Sequence, residues 1–379
     1  MTVAQMIQKT NTIVHAIMYI AFELSNSKWK LAFSDGVKRR FITIDARDLD
    51  RLDIEIRRAK EHFSMDENTT VYSCYEAGRD GFWIHRHLIE QGINNIVVDS
   101  SSIEVNRRSR RAKTDRIDAS KLLNMLIRYL NGEVKLWSVL RVPDVAQEDE
   151  RRLHREIQRL KKEKTAHSNR ITSLLILHGI KTRVDTRFLQ RLDHFRQHNG
   201  EPLPMHLKSE ILREHERYEL IKDQLKRIEA EKKQLLDDGG DRAKQVQELQ
   251  NLKGIGPVSA WMLIYEYFGW RQFDNVKQVG AAAGLAPTPY DSGGSIREQG
   301  ISKAGNRRIR AVMIELAWYW LRYQPKSELS QWYMHRFGNG GKRTRRIGIV
   351  ALARKLLIAL WKYTEKQVIP EGAMFKKAA

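Results

Sequence analysis

Five short apolar runs within the first 98 residues constrain this chain more than any other feature of its sequence. Residues 13–24 (IVHAIMYIAFEL) predict a buried strand, and 28–34 (KWKLAFS) a second. The Ser34-Asp35-Gly36 turn closes a hairpin onto a third strand at about 38–44, because Asp-Gly between such runs favours a tight reversal. Arg47 to Phe63 has helical periodicity, Thr70 to Tyr75 is rich in strand formers, Gly81 to Gln91 is helical and Asn95 to Val98 is a short strand. A further helical pattern runs from about Asp115 to Leu130, with Ile117, Leu122, Leu123, Met125 and Leu126 apolar. A hairpin followed by crossovers gives a mixed sheet flanked by helices, an α/β class.

That element order is the order of the ribonuclease-H fold, here expected over residues 1–143. From Asp144 to about Leu177, and again from Leu207 to Leu236, the pattern turns charged and helical. Gly200, Pro202 and Pro204 interrupt it, and Asp237-Asp238-Gly239-Gly240 ends it, which predicts an antiparallel helical arm over 144–249. Such an arm serves equally as a solvated spacer or an interaction element. Residues 250–379 turn rich in Gly, Ala and aromatics and predict a compact helical domain with an amphipathic tail helix at 343–365.

Lys plus Arg outnumber Asp plus Glu by 67 to 46, a formal charge of +21 that favours a polyanionic partner, nucleic acid or an acidic membrane surface. Cys74 is the single cysteine, which excludes an internal disulfide framework and fits a reducing compartment. The apolar stretch Ile13 to Leu24 is too short to span a bilayer and contains His15 and Glu23. The N-terminus lacks a basic stretch followed by an apolar core and a cleavage site, so a cytoplasmic protein with no membrane partner is expected. The twelve His show no zinc-site spacing backed by other ligands.

Four acids stand out by placement. Glu23 ends the first strand, Glu76 ends the fourth, and Asp115 and Asp118 share one helical face in KTDRIDA. Four carboxylates converging at one sheet end repel unless divalent cations neutralise them, and paired magnesium ions there stabilise a phosphoryl displacement. As ordinary surface acids, Asp115 and Asp118 would instead favour the helix N-terminus. Arg107, Arg108, Arg110, Arg111, Lys113 and Arg116 crowd the same segment, as a phosphate-binding surface or a solvated basic loop would.

In LKGIGPVSAWML, Gly254 and Gly256 flank an isoleucine before a helix and resemble a helix-hairpin-helix turn, in which backbone N–H groups approach a phosphate. A helix-start turn without a ligand has the same sequence. Ser292 lies in Tyr-Asp-Ser-Gly-Gly, a setting that suits a reactive hydroxyl and equally a turn residue. Lys303, Arg307, Arg308 and Arg310 follow at a helix start and suit phosphate contact, while Trp318, Tyr319 and Trp320 on that helix read as core.

Together these pieces resemble the DEDD transposases of the insertion-sequence one-ten/eleven-eleven family, which includes relatives that act as DNA invertases. The resemblance rests on AFELS, YEAGRDG, KTDRIDA, LKGIGPVSA, VGAAAGLAPTPYDSGG and ISKAGNRRIR, in the family's order across about 15–365. It implies an N-terminal RuvC-like domain of ribonuclease-H fold, a coiled-coil arm and a C-terminal transposase domain. It also implies a magnesium site of Glu23, Glu76, Asp115 and Asp118, and Ser292 as a nucleophile forming a transient phosphoserine link to DNA. Further implied are a guide RNA from the element's noncoding end, dimers and tetramers joined by the arm, and work at the bacterial or archaeal nucleoid. The family's first acid is an aspartate where this chain has Glu23, one methylene longer, which a small backbone shift accommodates or which weakens activity. The expected function is a DNA recombinase that cuts and rejoins strands. A junction-resolving nuclease using water, a site-specific invertase and an inactive nucleic-acid-binding descendant are the rival readings.

Overall fold

A computed structural model describes residues 16–103, 114–292 and 295–376. The chain divides into two compact units, Met1–Val142 and Pro143–Ala379. Arg107, Arg108, Arg110, Arg111 and Lys113 lie outside the described residues.

The first unit is built on a five-stranded mixed sheet. Its strands are β1 (Ile17–Leu24), β2 (Lys28–Ser34), β3 (Arg39–Asp45), β4 (Thr70–Glu76) and β5 (Asn94–Val98). Their order is β3-β2-β1-β4-β5, with the β1–β2 and β2–β3 pairs antiparallel and the β1–β4 and β4–β5 pairs parallel. The hairpin at Ser34-Asp35-Gly36 turns as expected; Gly36 has φ of 98° and Asp35 Oδ1 accepts from the backbone N–H groups of Val37 and Lys38.

Both faces of the sheet are covered, which is why its central strands read as unbroken apolar runs. Met18, Ile20 and Phe22 of β1 pack with Trp29, Leu31 and Phe33 of β2 against α1 (Leu49–His62) and α2 (Trp83–Glu90). The alternate residues Tyr19, Ala21, Ala32 and Cys74 pack against α3 (Asp115–Leu130) through Ala119, Leu122, Leu123 and Leu126. Thr114 caps α3 with its hydroxyl on the Ile117 N–H.

In the second unit, α4 (Val145–Ile176) and α6 (Met205–Asp237) form the antiparallel hairpin, with α5 (Phe188–Leu192) in the connection. Asp144 and Gln147 close a capping box at the start of α4. Ile157 and Leu160 meet Ile221, Leu225 and Ile228, while Ile171 and Leu175 meet Ile211 at the other end. The remainder comprises α7 (Asp241–Asn251), α8 (Pro257–Leu263), α9 (Val276–Ala282), α10 (Arg307–Tyr323), α11 (Glu328–Tyr333) and α12 (Lys342–Lys366). Single π-helical turns extend α8 over Ile264–Phe268 and α11 over Met334–Gly338.

Two features differ from the sequence expectation. The C-terminal region is not purely helical: β6 (Pro287–Ser292) and β7 (Ser295–Ile301) form a two-stranded antiparallel ribbon. Pro287 and Pro289 weaken the strand signal there, but a two-stranded ribbon is all edge and tolerates them. The aromatic triplet also splits. Trp320 is 1% exposed and donates from Nε1 to Ser327 Oγ at 2.8 Å, whereas Trp318 is 50% exposed and Tyr319 43%. Successive helical residues stand about 100° apart, so three in a row cannot all face a core.

Glu55 on α1 is fully buried, and its carboxylate accepts from Arg40, from Arg51 at 2.7 Å and from Arg58 at 3.0 Å. Burial alone would raise its pKa; the arginines outweigh this and hold it below the usual glutamate range. The group therefore contributes its full stability above that range and loses it as pH falls through the lowered folded value. Glu55→Gln is expected to cost about 1–2 kcal/mol at neutral pH, since the arginines are partly solvated, and to flatten the acid limb of urea melts taken across pH.

Candidate active site

Each predicted acid has a definite place in the sheet. Glu23 lies one residue beyond the Phe22–Tyr75 pair on β1, and Glu76 lies one residue beyond it on the adjacent parallel strand β4. Side chains alternate along a strand, so Glu23 shares its face with Tyr19 and Ala21, and Glu76 with Tyr72 and Cys74. Both therefore lie on the face that α3 covers.

Cross-strand contacts fix the direction of α3. Arg39 donates to Asn124 Oδ1 at 2.7 Å, and Arg39 pairs with Ser34, which pairs with Tyr19. The Arg116 guanidinium lies 5.0 Å from the Phe41 ring, and Phe41 pairs with Ala32, which pairs with Ala21. Going from Asn124 back to Arg116 thus moves along β1 toward Glu23. The first turn of α3, with Asp115 exposed and Asp118 half-buried, points to the same end of the sheet as the two glutamates.

As a set these four side chains would offer carboxylate oxygens alone, with no soft ligand, which suits a hard cation such as magnesium. Among the described residues no three acid, His or Cys side chains gather as a group able to hold a metal ion. The structure thus sets the four acids on one face and toward one end without closing them into a cluster. Lys30 stands opposite Glu23 on β2 and donates to Thr43 at 2.8 Å.

Ser292 is the last residue of β6 and pairs with Ser295 across the ribbon; Gly293 and Gly294 lie outside the described residues. The base of this ribbon is held by two sequence pieces that interlock. Ser302 N–H donates to Ala286 O at 2.9 Å, Lys303 N–H to Gly284 O at 3.1 Å, and Asn306 N–H to Ala282 O at 2.7 Å. Gly284 has φ of 67°, and a Cβ there would stand 2.4 Å from Ala304 O; Gly305 has φ of 111°, and its Cβ would stand 2.4 Å from Ala282 O. GAAAGLAP and SKAGN are therefore the two halves of one backbone clasp.

The four cations after the ribbon have separate surroundings. Arg310 donates to Ala283 O at 3.2 Å and Lys303 O at 2.9 Å, which ties it into the clasp. Arg308 donates to Gln158 on α4 at 3.2 Å, Arg307 is exposed, and Lys303 lines a cleft below the ribbon. Gly254, with φ of 87°, packs its Cα against α10, where a Cβ would lie 3.3 Å from Tyr319 O. Gly256 is the open N-cap of α8, with nothing near its missing Cβ.

Sequence reasoning passed over the residues that join α4 to this region. Glu266, in the first π-helical turn, is buried and accepts from Arg155 at 2.6 and 3.1 Å and from Asn306 Nδ2 at 3.4 Å. His154 beside them is pushed down to about 4, chiefly by burial, and stays neutral at physiological pH. Burial likewise pushes Lys232, stacked 4.5 Å from the Trp261 ring, down to about 8. No sequence period marks these contacts, because they join residues far beyond one helical repeat, Arg155 and Glu266 by more than a hundred positions.

The clasp makes a stability prediction. Gly284→Ala and Gly305→Ala are each expected to cost at least about 2 kcal/mol, from a left-handed backbone plus a backbone clash. Gly256→Ala is expected to cost less than about 1 kcal/mol. Thermal melts of the three variants check this ranking.

Comparison with known proteins places these motifs. Residues 246–331, which include the Gly254 turn, the clasp and the ribbon, match the family model described as "Transposase IS116/IS110/IS902 family". The chain is 41% identical over 95% of its length, and 94% of the relative's, to the protein named "Putative transposase y4rJ" of Sinorhizobium fredii (strain NBRC 101917 / NGR234). It is 28% identical to the transposase for insertion sequence element IS1328 of Yersinia enterocolitica, over 59% of this chain and 64% of the relative. With the transposase for insertion sequence element IS1533 of Leptospira borgpetersenii it shares 24% identity over 82% of this chain and 85% of the relative. On the near full-length match and the family model together, this chain belongs to the IS116/IS110/IS902 family of transposases.

Proposed function

We propose that the chain is an insertion-sequence recombinase that cuts and rejoins DNA through a phosphoserine at Ser292. The observation that carries the reading is the common face and end of the sheet shared by Glu23, Glu76, Asp115 and Asp118, in a chain of transposase sequence. The first unit then acts as a RuvC-like domain of ribonuclease-H fold. Magnesium held by the four carboxylates would neutralise charge on the reacting phosphate.

In the chemistry proposed, Ser292 Oγ attacks a DNA phosphorus, a P–O bond to the sugar breaks, and the strand leaves with a free hydroxyl. The serine proton is passed on, through a base or solvent, to the leaving oxygen. A hydroxyl of the new partner strand then attacks the phosphoserine, reforms a phosphodiester and returns Ser292. Bond energy is retained, so no ATP or external ligase is needed. Arg307 and Arg308, exposed on the first turn of α10, would bind backbone phosphate with salt-dependent affinity. With the family resemblance goes a structured guide RNA that selects sites by base pairing, and assembly as dimers or tetramers through a coiled-coil use of the α4–α6 arm. The working compartment is then the bacterial or archaeal cytoplasm, at the nucleoid. Among the described residues no helix is long and apolar enough to cross a membrane.

The test uses cells carrying the gene with its native flanking DNA. Denaturing isolation of the protein should recover a covalent DNA adduct, and recombinant junctions should be detectable by amplification. Ser292→Ala is expected to abolish the adduct and lower junctions at least about a thousandfold, with Asp118→Asn losing both. Junctions or cuts that persist in Ser292→Ala would assign the attack to water and make the protein a nuclease.

A further inference from the structure

The second unit contains a cleft of about 980 Å³ between the base of the β6–β7 ribbon and α12, closed at one end by the second π-helical turn. Its rim carries Lys303, Lys342, Arg343, Arg346, Arg354 and Lys355, and Arg336 sits over the Phe337 ring at 5.8 Å. No carboxylate lines it among the described residues. Its floor is apolar: Leu285, Ile347, Val350 and Ile358, with the edges of Trp332 and Phe337.

Three features identify what fits. The first is extent. Lys342 to Lys355 lie on one helix, a rise of about 20 Å, which spans several successive phosphates of a nucleic-acid strand. A single phosphate or small acid would leave most of these cations unmatched.

The second is the floor. A duplex offers phosphates and groove edges to a protein surface and would leave Ile347, itself 46% exposed, without an apolar partner. An unpaired base has an apolar face, and a basic groove with apolar and aromatic surfaces is how single strands are held. The third is Arg354. It packs against Gly280, whose absent Cβ would lie 2.9 Å from Arg354 Nε, and this Nε is buried with no hydrogen-bond partner among the described residues. Arg354 also lines the cleft, so its guanidinium brings an unspent donor to the cleft wall.

We propose that this cleft binds an unpaired stretch of nucleic acid, with phosphates on the α12 rim and a base against Ile347 and Phe337. The proposal rests on the reading that the chain works on nucleic acid, and it adds a site for a single strand beside the ribbon that carries Ser292. The sugar is distinguished by the test, since the rim reads only the phosphates that DNA and RNA share.

The full chain is titrated, by fluorescence anisotropy, with labelled oligo-dT, oligo-rU, an abasic deoxyribose strand of equal length and a mixed-sequence duplex. Arg343→Ala/Arg346→Ala is expected to weaken single-strand binding at least about tenfold and to lower the salt slope by about 1.4, with duplex binding nearly unchanged. Ile347→Ser is expected to weaken oligo-dT or oligo-rU about fivefold and to leave the abasic strand unaffected. Tighter oligo-rU binding would assign the cleft to RNA, and the reverse to DNA. Equal losses for duplex and single strand, or equal losses of base-bearing and abasic strands in Ile347→Ser, overturn the proposal. If adducts and junctions form normally and the cleft variants bind strands as the wild type does, the cleft proposal falls alone. If strand binding depends on the cleft but neither adduct nor junction forms, the cleft stands and the recombinase reading falls.

Discussion

Buried glutamates ringed by hydrogen-bond donors, arginines above all, tie the elements of this protein together. In the first unit Glu55 gathers Arg40, Arg51 and Arg58 and ties α1 to β3. Within the arm Glu214 gathers Arg170 at 2.7 Å, Arg217 at 2.6 Å and His167 at 2.6 Å and ties α6 to α4. At the foot of the arm Glu266 gathers Arg155 and Asn306. A carboxylate taken out of water is tolerated only where several donors replace its hydration, so each of these contacts admits few alternative packings. For a chain carrying a charge of +21 this is a natural solution, because cations are plentiful and each scarce acid can be given several.

The same economy shapes the surface. Acids drawn into the interior cannot neutralise the cations that remain outside, and the consequence is clearest on α12. There Lys342, Arg343 and Arg346 stand on the exposed start of the helix, with no acid among the described residues lining the cleft they border. A helix N-terminus already favours anions, and cations at the start of the helix add to the preference. Affinity of this origin is insensitive to base sequence and sensitive to salt. Any choice of sequence has to come from contacts other than these.

Much of this architecture was legible in the sequence, for identifiable reasons. The span of β2 coincides with the KWKLAFS run, and the turn at Asp35-Gly36 needed no tertiary information, since its geometry is set by local backbone preference. The common face of Glu23 and Glu76 follows from strand alternation once β1 and β4 are neighbours. What stayed hidden depends on partners remote in sequence. The β6–β7 ribbon was masked by Pro287 and Pro289, and only the clasp to Ser302, Lys303 and Asn306 makes that segment a strand. The exposed face of α10 was misread because Trp318 and Tyr319 look like core side chains when their helix is considered alone. The cleft is assembled from residues 285 to 358, and no window of the sequence contains both its walls.

Asn306 shows how closely the parts are coupled. Its N–H closes the clasp on Ala282, its Oδ1 accepts from the N–H groups of Arg308 and Ile309 to cap α10, and its Nδ2 reaches Glu266. One residue thereby fixes the base of the ribbon through its backbone, and the first turn of α10 and the junction with the arm through its side chain. An aspartate would keep the cap but face Glu266 with a second carboxylate, and a serine would keep the cap but not reach it. The side chain is thus set by the cap and Glu266 together rather than by either alone. That is why a position reading as an ordinary N-cap, between Gly305 and Arg307, determines how the exposed Arg307 and the ribbon bearing Ser292 are held relative to each other.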